Sequence, residues 1–498
     1  VSFNTWVKRL FETDYENAAE LVDKIWRENL EANDKLERDA AKRLLDYYNR
    51  DRDEMLKHIK KAAKKTFSDE INEVWQWPFI NGVPRTVKRL SQAYRDVPVR
   101  ELVRGDKILP TDDKAYDQLA RLYKNFDPNA KLKDADRYST LLNTTHIEVV
   151  PRNGSVDWDF RLRPKVTVLE DPNNYLDFIK FAYELSIINP ETLAKRDGWV
   201  YWSEEEHFFL GTDRIKVGMS SSDPKDTTNP YRDRDKKQII PIVTIRKIEQ
   251  DEYWGKYGAD LVDAIEAASL QLGNLWENGF LQTHGIPVGT NLGTKSGQTV
   301  TTGPRDGFFA ENVTKDDVQP SLEFAKPDPD IDRMMNLIDW FIKQTGATYG
   351  LPPSAWALDE TRMSGIAKFL DNLELLESRE DEIAMWQKIE QDLFEKSRIV
   401  FNTWAKNGEK IDMDLSLRVT FPQASFPESP TEKVERFLVE SQAGLTSAVE
   451  WFMEEEGLDE EQAREKAQRI AKDNSELRRA GYEGITRQIM GDTGVRNE

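Results

Sequence analysis

The chain has 498 residues and a formal net charge of −20, with 38 % hydrophobic residues, 32 % charged residues and no cysteine. That length suits roughly two to four domains, and the lack of cysteine excludes disulfides, thiolate metal sites and cysteine nucleophiles. Gripping DNA by its phosphates calls for a basic face, so a chain this acidic either leaves DNA alone or meets it without holding it tightly.

Residues 1 to about 66 read as charged helix. Leu36, Ala40, Ala41, Leu44, Leu45 and Tyr48 recur at helical spacing as one apolar stripe. Lys57, Lys60, Lys61, Lys64 and Lys65 form a basic run, read as a solvated helix face rather than a DNA patch. Pro78, Gly82 and Pro84 break the chain before a helix starting near Arg85. From about Leu142 to Met219 the pattern turns to strand. Residues 145–150 and 165–169 form β-branched runs, and Asn153-Gly154 is a hairpin signal. Residues 199–202 and 207–210 form a further pair joined by Glu204-Glu205-Glu206, and 238–245 reads as a buried strand.

A helix is expected from about Gly258 to Gln282, stopped by Gly285 and Pro287. Residues 285–327, rich in Gly, Thr and Pro, carry short strands, including Gly307-Phe308-Phe309. A second helix opens at Pro327 and Pro329 and runs to about Thr345. Gly346, Gly350 and Pro352-Pro353 then interrupt it, and a helix of about 64 Å runs from Met363 to Ala405. Leu415–Phe421 alternates as a strand, and acidic helices follow from about 431. The class is α+β and predominantly helical. There is no stretch of about 20 apolar residues to span a membrane, and the start of the chain lacks a signal-peptide pattern, so neither feature is expected.

Motifs for chemistry fail on spacing. Gly289 to Ser296 imitates a phosphate loop, but three residues separate its glycines and Thr294 precedes Lys295. Asp328, Asp330 and Asp332 imitate a calcium loop, but Arg333 and Asp339 stand where Gly and Glu are needed. Acidic residues at a helix N-terminus account for them better. Glu204–His207 lacks the two-histidine spacing of a metalloprotease, and His58, His146, His207 and His284 form no i, i+4 pair. No catalytic residue, metal or cofactor is expected, and the chain reads as non-enzymatic.

Four stretches together resemble the portal proteins of tailed double-stranded DNA phages, over about residues 80–425. Asn81 to Leu90 with Ala93-Tyr94 and Val97-Pro98 looks like that family's first core helix. Asn229-Pro230-Tyr231 followed by Ile240-Pro241-Ile242-Val243 is similar to its Asn-Pro-Tyr-Gly strand motif, with Arg232 in place of Gly. Asp260 to Asn278 is similar to the next helix, and Met363-Ser364-Gly365-Ile366-Ala367 to the opening of the long one.

The resemblance implies a wing, stem, clip and crown assembling into a ring. Residues 1–257 would be N-terminal helices and an α/β wing, 258–284 and 328–347 the stem, and 285–327 the clip. Residues 348–362 would be a tunnel loop, 363–425 the long wing helix with a return strand, and 426–498 a helical crown. It implies a homo-oligomer of about twelve copies at one capsid vertex of the virion, made in the host cytoplasm. The ring would be a channel for DNA packaging and ejection. Its implied partners are double-stranded DNA, the terminase large subunit, the major capsid protein and a head-completion or adaptor protein, with no membrane. Ser354, Trp356, Asp359, Glu360, Thr361 and Arg362 would face the bore, with Gly350 as a hinge. Lys343, Lys295, Arg305 and Lys315 would be candidates for phosphate or motor contacts. The alternatives are another virion component, of capsid or tail, and a packaging enzyme.

Overall fold

In a computed structural model, the described residues are 34–64, 77–171, 173–188, 195–211, 216–220, 223–255, 258–284, 286–290, 299–301, 306–310, 321–325, 330–351, 365–406, 408–422, 430–442, 444 and 446–479. They combine helix and sheet in two compact units. One takes in positions 1–360 and 371–423, the other 361–370 and 424–498.

The first unit opens with α1 (Asp34–Tyr48) and α2 (Arg52–Ala63). Arg50 at φ +59° turns the chain between them, and the Asp51 carboxylate caps α2 by accepting from the Glu54 N–H. The expected stripe on α1 is rotated: Ala41, Leu44 and Tyr47 are buried, whereas Leu36 is 77 % exposed. Next comes α3 (Val83–Leu90), with Pro84 in its first turn. Ala93 and Tyr94 lie in the following turn with their side chains buried.

Strands β1 (Val99–Arg104) and β2 (Lys107–Ile108) precede α4 (Lys114–Leu122) and α5 (Pro128–Leu142). The hairpin of β3 (Thr144–Arg152) and β4 (Ser155–Arg161) turns at Asn153 (φ +50°) and Gly154 (φ +70°), the left-handed pair a two-residue turn demands. A five-stranded antiparallel sheet follows in sequence order: β5 (Val166–Asp171), β6 (Asn174–Ile188), β7 (Lys195–Ser203), β8 (His207–Gly211) and β9 (Lys216–Gly218). β10 (Ile242–Arg246) pairs with β3. It starts four residues later than the apolar run suggested, because Pro241 has no N–H to give a ladder.

Helix α6 (Ala259–His284) leads into β11 (Ile286–Thr290), β12 (Thr299–Thr301), β13 (Asp306–Ala310) and β14 (Ser321–Ala325), a sheet ordered β12-β13-β11-β14. The chain continues as α7 (Ile331–Thr348), then α8 (Gly365–Trp404) and β15 (Leu415–Thr420), which pairs with β1. In β15 burial alternates residue by residue, with Leu415, Leu417 and Val419 inward. The second unit contains α9 (Pro430–Gln442), α10 (Ala448–Glu456) and α11 (Glu460–Arg479), where Phe437 packs on Trp451 at 4.9 Å between ring centroids.

One core joins the sheets to α8. Trp386, Leu393, Phe394 and Val400 pack with Trp158, Phe181, Trp202 and Leu417. Buried polar contacts then fix the helix in register. Trp158 Nε1 donates to Ser397 Oγ at 2.9 Å, and Arg100 donates through Nη2 to Glu390 at 3.1 Å and through Nε at 2.5 Å. Gln387 Nε2 donates to the carbonyl of Val419 at 2.9 Å, and Arg398 donates to that of Leu415. Both carbonyls belong to β15, an outer strand of its sheet, so α8 satisfies backbone groups that would otherwise invite another strand.

Candidate functional site

Among the described residues, the segment from α6 to α7 exposes several large apolar side chains, Trp276, Phe324, Met335, Leu337 and Trp340. The first half of α6 is ordinary core. Leu261, Val262 and Ile265 pack with Ala41, Leu44 and Tyr47 of α1, and Arg43 ties the helices together, donating to Glu266 at 2.8 Å and Asp263 at 2.6 Å. At Gly273 the ring of Trp77 comes so close that a Cβ would meet it at 2.8 Å. Beyond it the same helix lines a cleft of about 510 Å³ with Leu272, Leu275, Trp276, Gly279, Phe280 and Thr283, together with Pro78 and Ile331. Trp276 is 59 % exposed.

Helix α7 runs antiparallel to α6. Ile331 shares the cleft near the end of α6, while Tyr349 donates its hydroxyl hydrogen to Asp260 near the start. Asp330 caps α7, its carboxylate accepting from the Arg333 N–H at 3.0 Å, and Asp332 sits in the first turn. These two aspartates therefore do helix-capping and dipole work. Within α7 only Ile338 and Gly346 are buried, and Met335, Leu337 and Trp340 stand exposed. A helix apolar on more than one face and left bare is incomplete as a monomer surface.

The helix end is pinned. Gly350 is left-handed at φ +62°, its N–H reaches the Ala347 carbonyl at 3.0 Å, and the Leu351 N–H reaches that of Gly346 at 2.9 Å. These are the paired bonds of a Schellman stop. Leu351 is buried against Leu375, Leu90 and Tyr349. Gly350 thus caps α7 through these two bonds, with the buried Leu351 directly after it.

Of the residues singled out in the sequence, Ser354, Trp356, Asp359, Glu360, Thr361 and Arg362 lie outside the described residues, as do Lys295, Arg305 and Lys315. Lys343 is on α7 with its ammonium 2.6 Å from Asp339, one turn earlier. That pair cancels its charge locally. Gly289 and Thr290 sit in β11, paired with β13 and β14, so this part of the phosphate-loop look-alike is strand. His207 lies flat on Trp202 at 3.4 Å between centroids, and burial pushes its pKa down to about 3. His146, enclosed by Phe181, Tyr253 and Trp254, is pushed down to about 3 for the same reason.

Among the described residues, Asp46, Glu54 and His58 each bring one potential ligand atom within 4.8 Å of the others. Lys42 stands 3.4 Å from Glu54 and 3.9 Å from Asp46, and Lys57 stands 2.7 Å from Glu54. The Lys57 hydrogen bond holds the Glu54 pKa below its ordinary value. Two ammonium groups already balance the carboxylates, which makes the group an ion-pair knot between α1 and α2.

The Asn229-Pro230-Tyr231 motif has a structural explanation that spacing alone did not reveal. Asn229 is fully buried, and its amide nitrogen donates to the carbonyls of Ser203 (3.1 Å), Glu204 (3.0 Å) and Ile239 (2.9 Å). Its amide oxygen accepts from the Tyr231 N–H at 3.1 Å. One side chain therefore stitches the acidic turn to the approach of β10. Arg232 pairs with Gln238 across a loop that contains Lys236 at φ +63°, which makes this a charged hairpin.

No family model matches the chain, and no curated protein matches it. Solved structures similar to it include a chain from the neck of an empty gene transfer agent particle computed with C6 symmetry. There the TM-score is 0.37 at 13 % identity, over 75 % of this chain and 89 % of that one. A chain from the virion of a native gene transfer agent particle gives 0.36 at 12 % identity, over 81 % and 99 %.

Proposed function

We propose that this chain is the portal subunit of a tailed double-stranded DNA phage particle, a non-enzymatic protein that closes into a ring of about twelve copies at one capsid vertex. DNA would pass through the ring during packaging and ejection. The terminase large subunit, and later a head-completion or adaptor protein, would dock on the sheet β12-β13-β11-β14, and the major capsid protein would surround the ring.

The observation that carries this reading is α7. It joins a small sheet to a long helix, follows an antiparallel partner, and exposes Met335, Leu337 and Trp340. Such a helix is completed by neighbours on its flanks, which is what a closed head-to-tail ring supplies. The charge supports the reading. Each phosphate gripped by Lys or Arg must be released again, and a ring of twelve chains at −20 each carries roughly −240, which keeps DNA off the walls.

The test is the mass and shape of the purified protein by light scattering and negative-stain microscopy. Rings of twelve 57.7 kDa chains, about 690 kDa, with a central hole are expected. Shells or tubes would favour a capsid or tail component instead, and ATP-dependent assembly a packaging enzyme. Nanomolar, salt-dependent DNA binding by the isolated ring would contradict the low-grip channel.

A further inference from the structure

The α6–α7 hairpin carries two apolar features on opposite sides. One is the cleft of about 510 Å³, whose described lining residues, Pro78, Leu272, Leu275, Trp276, Phe280 and Ile331 with Gly279 and Thr283, bear no formal charge. The other is Trp340, 54 % exposed. Ile331 and Trp340 are nine residues apart on one helix, which is two and a half turns at 3.6 residues per turn. Trp340 therefore leaves α7 on the side away from the cleft. Ile338, two residues earlier and about 200° round, is 6 % exposed. Leu337 stands exposed on the Trp340 side.

We propose that Trp340 of one copy inserts into the cleft of the next, and that this contact sets the head-to-tail interface. The inference rests on the ring reading above and adds to it the residues that meet. The chemistry of the two sides matches. The described lining offers no charge to a charged ligand, whereas an indole brings a flat, rigid apolar body and one N–H. A cleft of this volume is ample for one, since pockets of about 300–1,000 Å³ hold larger ligands. The Thr283 hydroxyl donates to the Gly279 carbonyl at 2.8 Å, which leaves its oxygen able to accept from that N–H. A projection and a recess on opposite faces of one hairpin cannot satisfy each other within a chain. Between copies they repeat in one direction, the geometry of a heterologous contact. Tryptophan is also enriched among the residues that carry most of the binding energy at interfaces.

The absence of cysteine makes the contact directly testable. Leu337→Cys, on the Trp340 side with the indole kept, and Leu275→Cys proteins, mixed and oxidised, should give a disulfide-linked pair of chains, while either alone gives none. Separately, Trp340→Ala removes the projection, and Gly279→Phe fills the recess at a position where an added Cβ meets nothing within 4 Å. Each should weaken association by about 30-fold or more per interface while keeping wild-type circular dichroism. Mixed together, one variant supplies the recess and the other the projection, so they should form 1:1 pairs of about 115 kDa, twice the chain mass, and nothing larger. Rings of unchanged mass and stability from both variants would overturn the contact and leave the ring reading intact. Wild-type shells or tubes would overturn the ring reading whether or not the cysteines join. Absence of the mixed disulfide, with no 1:1 pairs, would overturn the contact in either case.

Discussion

The ammonium of Lys247 lies 3.1 Å from a carboxylate oxygen of Asp136, with both side chains withdrawn from water. Glu382 of α8 reaches the same ammonium at 2.5 Å. Asp136 belongs to α5, so a single lysine just past β10 ties α5 to the long helix. Burial raises the pKa of both carboxyls, with Lys247 acting against that shift. Removing the cation leaves two carboxyl groups in an apolar setting with no positive partner. We expect Lys247→Met to destabilise the protein by about 3–5 kcal/mol, measured as a lowered urea midpoint. Replacing all three by apolar residues of similar volume should cost far less, because it removes the desolvation penalty along with the attraction.

Acid should destabilise the fold through two histidines. His146 and His207 are held neutral by burial, with folded pKa values of about 3, against an ordinary value near 6.5 when unfolded. Between those values the unfolded chain binds the extra protons. Stability is therefore fully present above about pH 6.5 and falls as pH drops towards 3. At pH 5 each histidine accounts for a loss of about 2 kcal/mol relative to pH 7.5. Urea midpoints measured across that range should show the slope, and a His146→Gln/His207→Gln double variant should flatten it. An unchanged slope in the double variant would place the acid sensitivity elsewhere.

Gly350 is required by backbone geometry. A side chain at φ +62° is strained, so Gly350→Ala should cost about 1 kcal/mol. Leu351→Ala, which empties a buried site, should cost about 2–4 kcal/mol. If Gly350 were instead a working hinge, Gly350→Ala would change ring assembly or DNA passage with little effect on stability. Thermal melts and ring yield measured side by side separate the two.

In the second unit, Ser447 and Glu450 form a reciprocal cap at the start of α10. The Glu450 N–H donates to Ser447 Oγ at 3.2 Å, and the Ser447 N–H donates to Glu450 Oε2 at 2.8 Å. Ser447→Ala should lower the stability of that helix by about 1 kcal/mol, read as faster amide exchange confined to residues 447–456. Uniform exchange across both units would show that the two unfold together.

Local chemistry made several features legible in the residues alone. The Asn153-Gly154 turn was readable because few residue pairs take two left-handed conformations cheaply. The β15 alternation was readable because strand geometry has a period of two, and α6 and α8 because apolar residues recur over many turns. Spacing alone read Asp328, Asp330 and Asp332 as acidic residues at a helix start rather than a calcium loop, and the structure adds that Asp330 caps α7. Features set by competing contacts were harder to see. The burial of Ala93 and Tyr94 in the turn after α3 depends on Trp386 of α8 and on Phe421, just past β15, which pack on Tyr94. The stripe on α1 turned towards Tyr47 because α6 lies on that side.

The sequence by itself determined the acidic charge and the order of the elements it read, from the β3–β4 hairpin to β15, because these depend on residue type and short-range spacing, while β1, β2, α4, α5 and β6 emerged only in the structure. It also ruled out cysteine chemistry. Only the tertiary structure decided that Lys247, Asp136 and Glu382 share one buried site, that Asn229 stitches three carbonyls together, and that Trp340 and an apolar cleft stand on opposite sides of one hairpin. Lys247 and Asp136 are 111 residues apart, and Lys247 and Glu382 135. No periodicity spans such distances, because only packing brings them together.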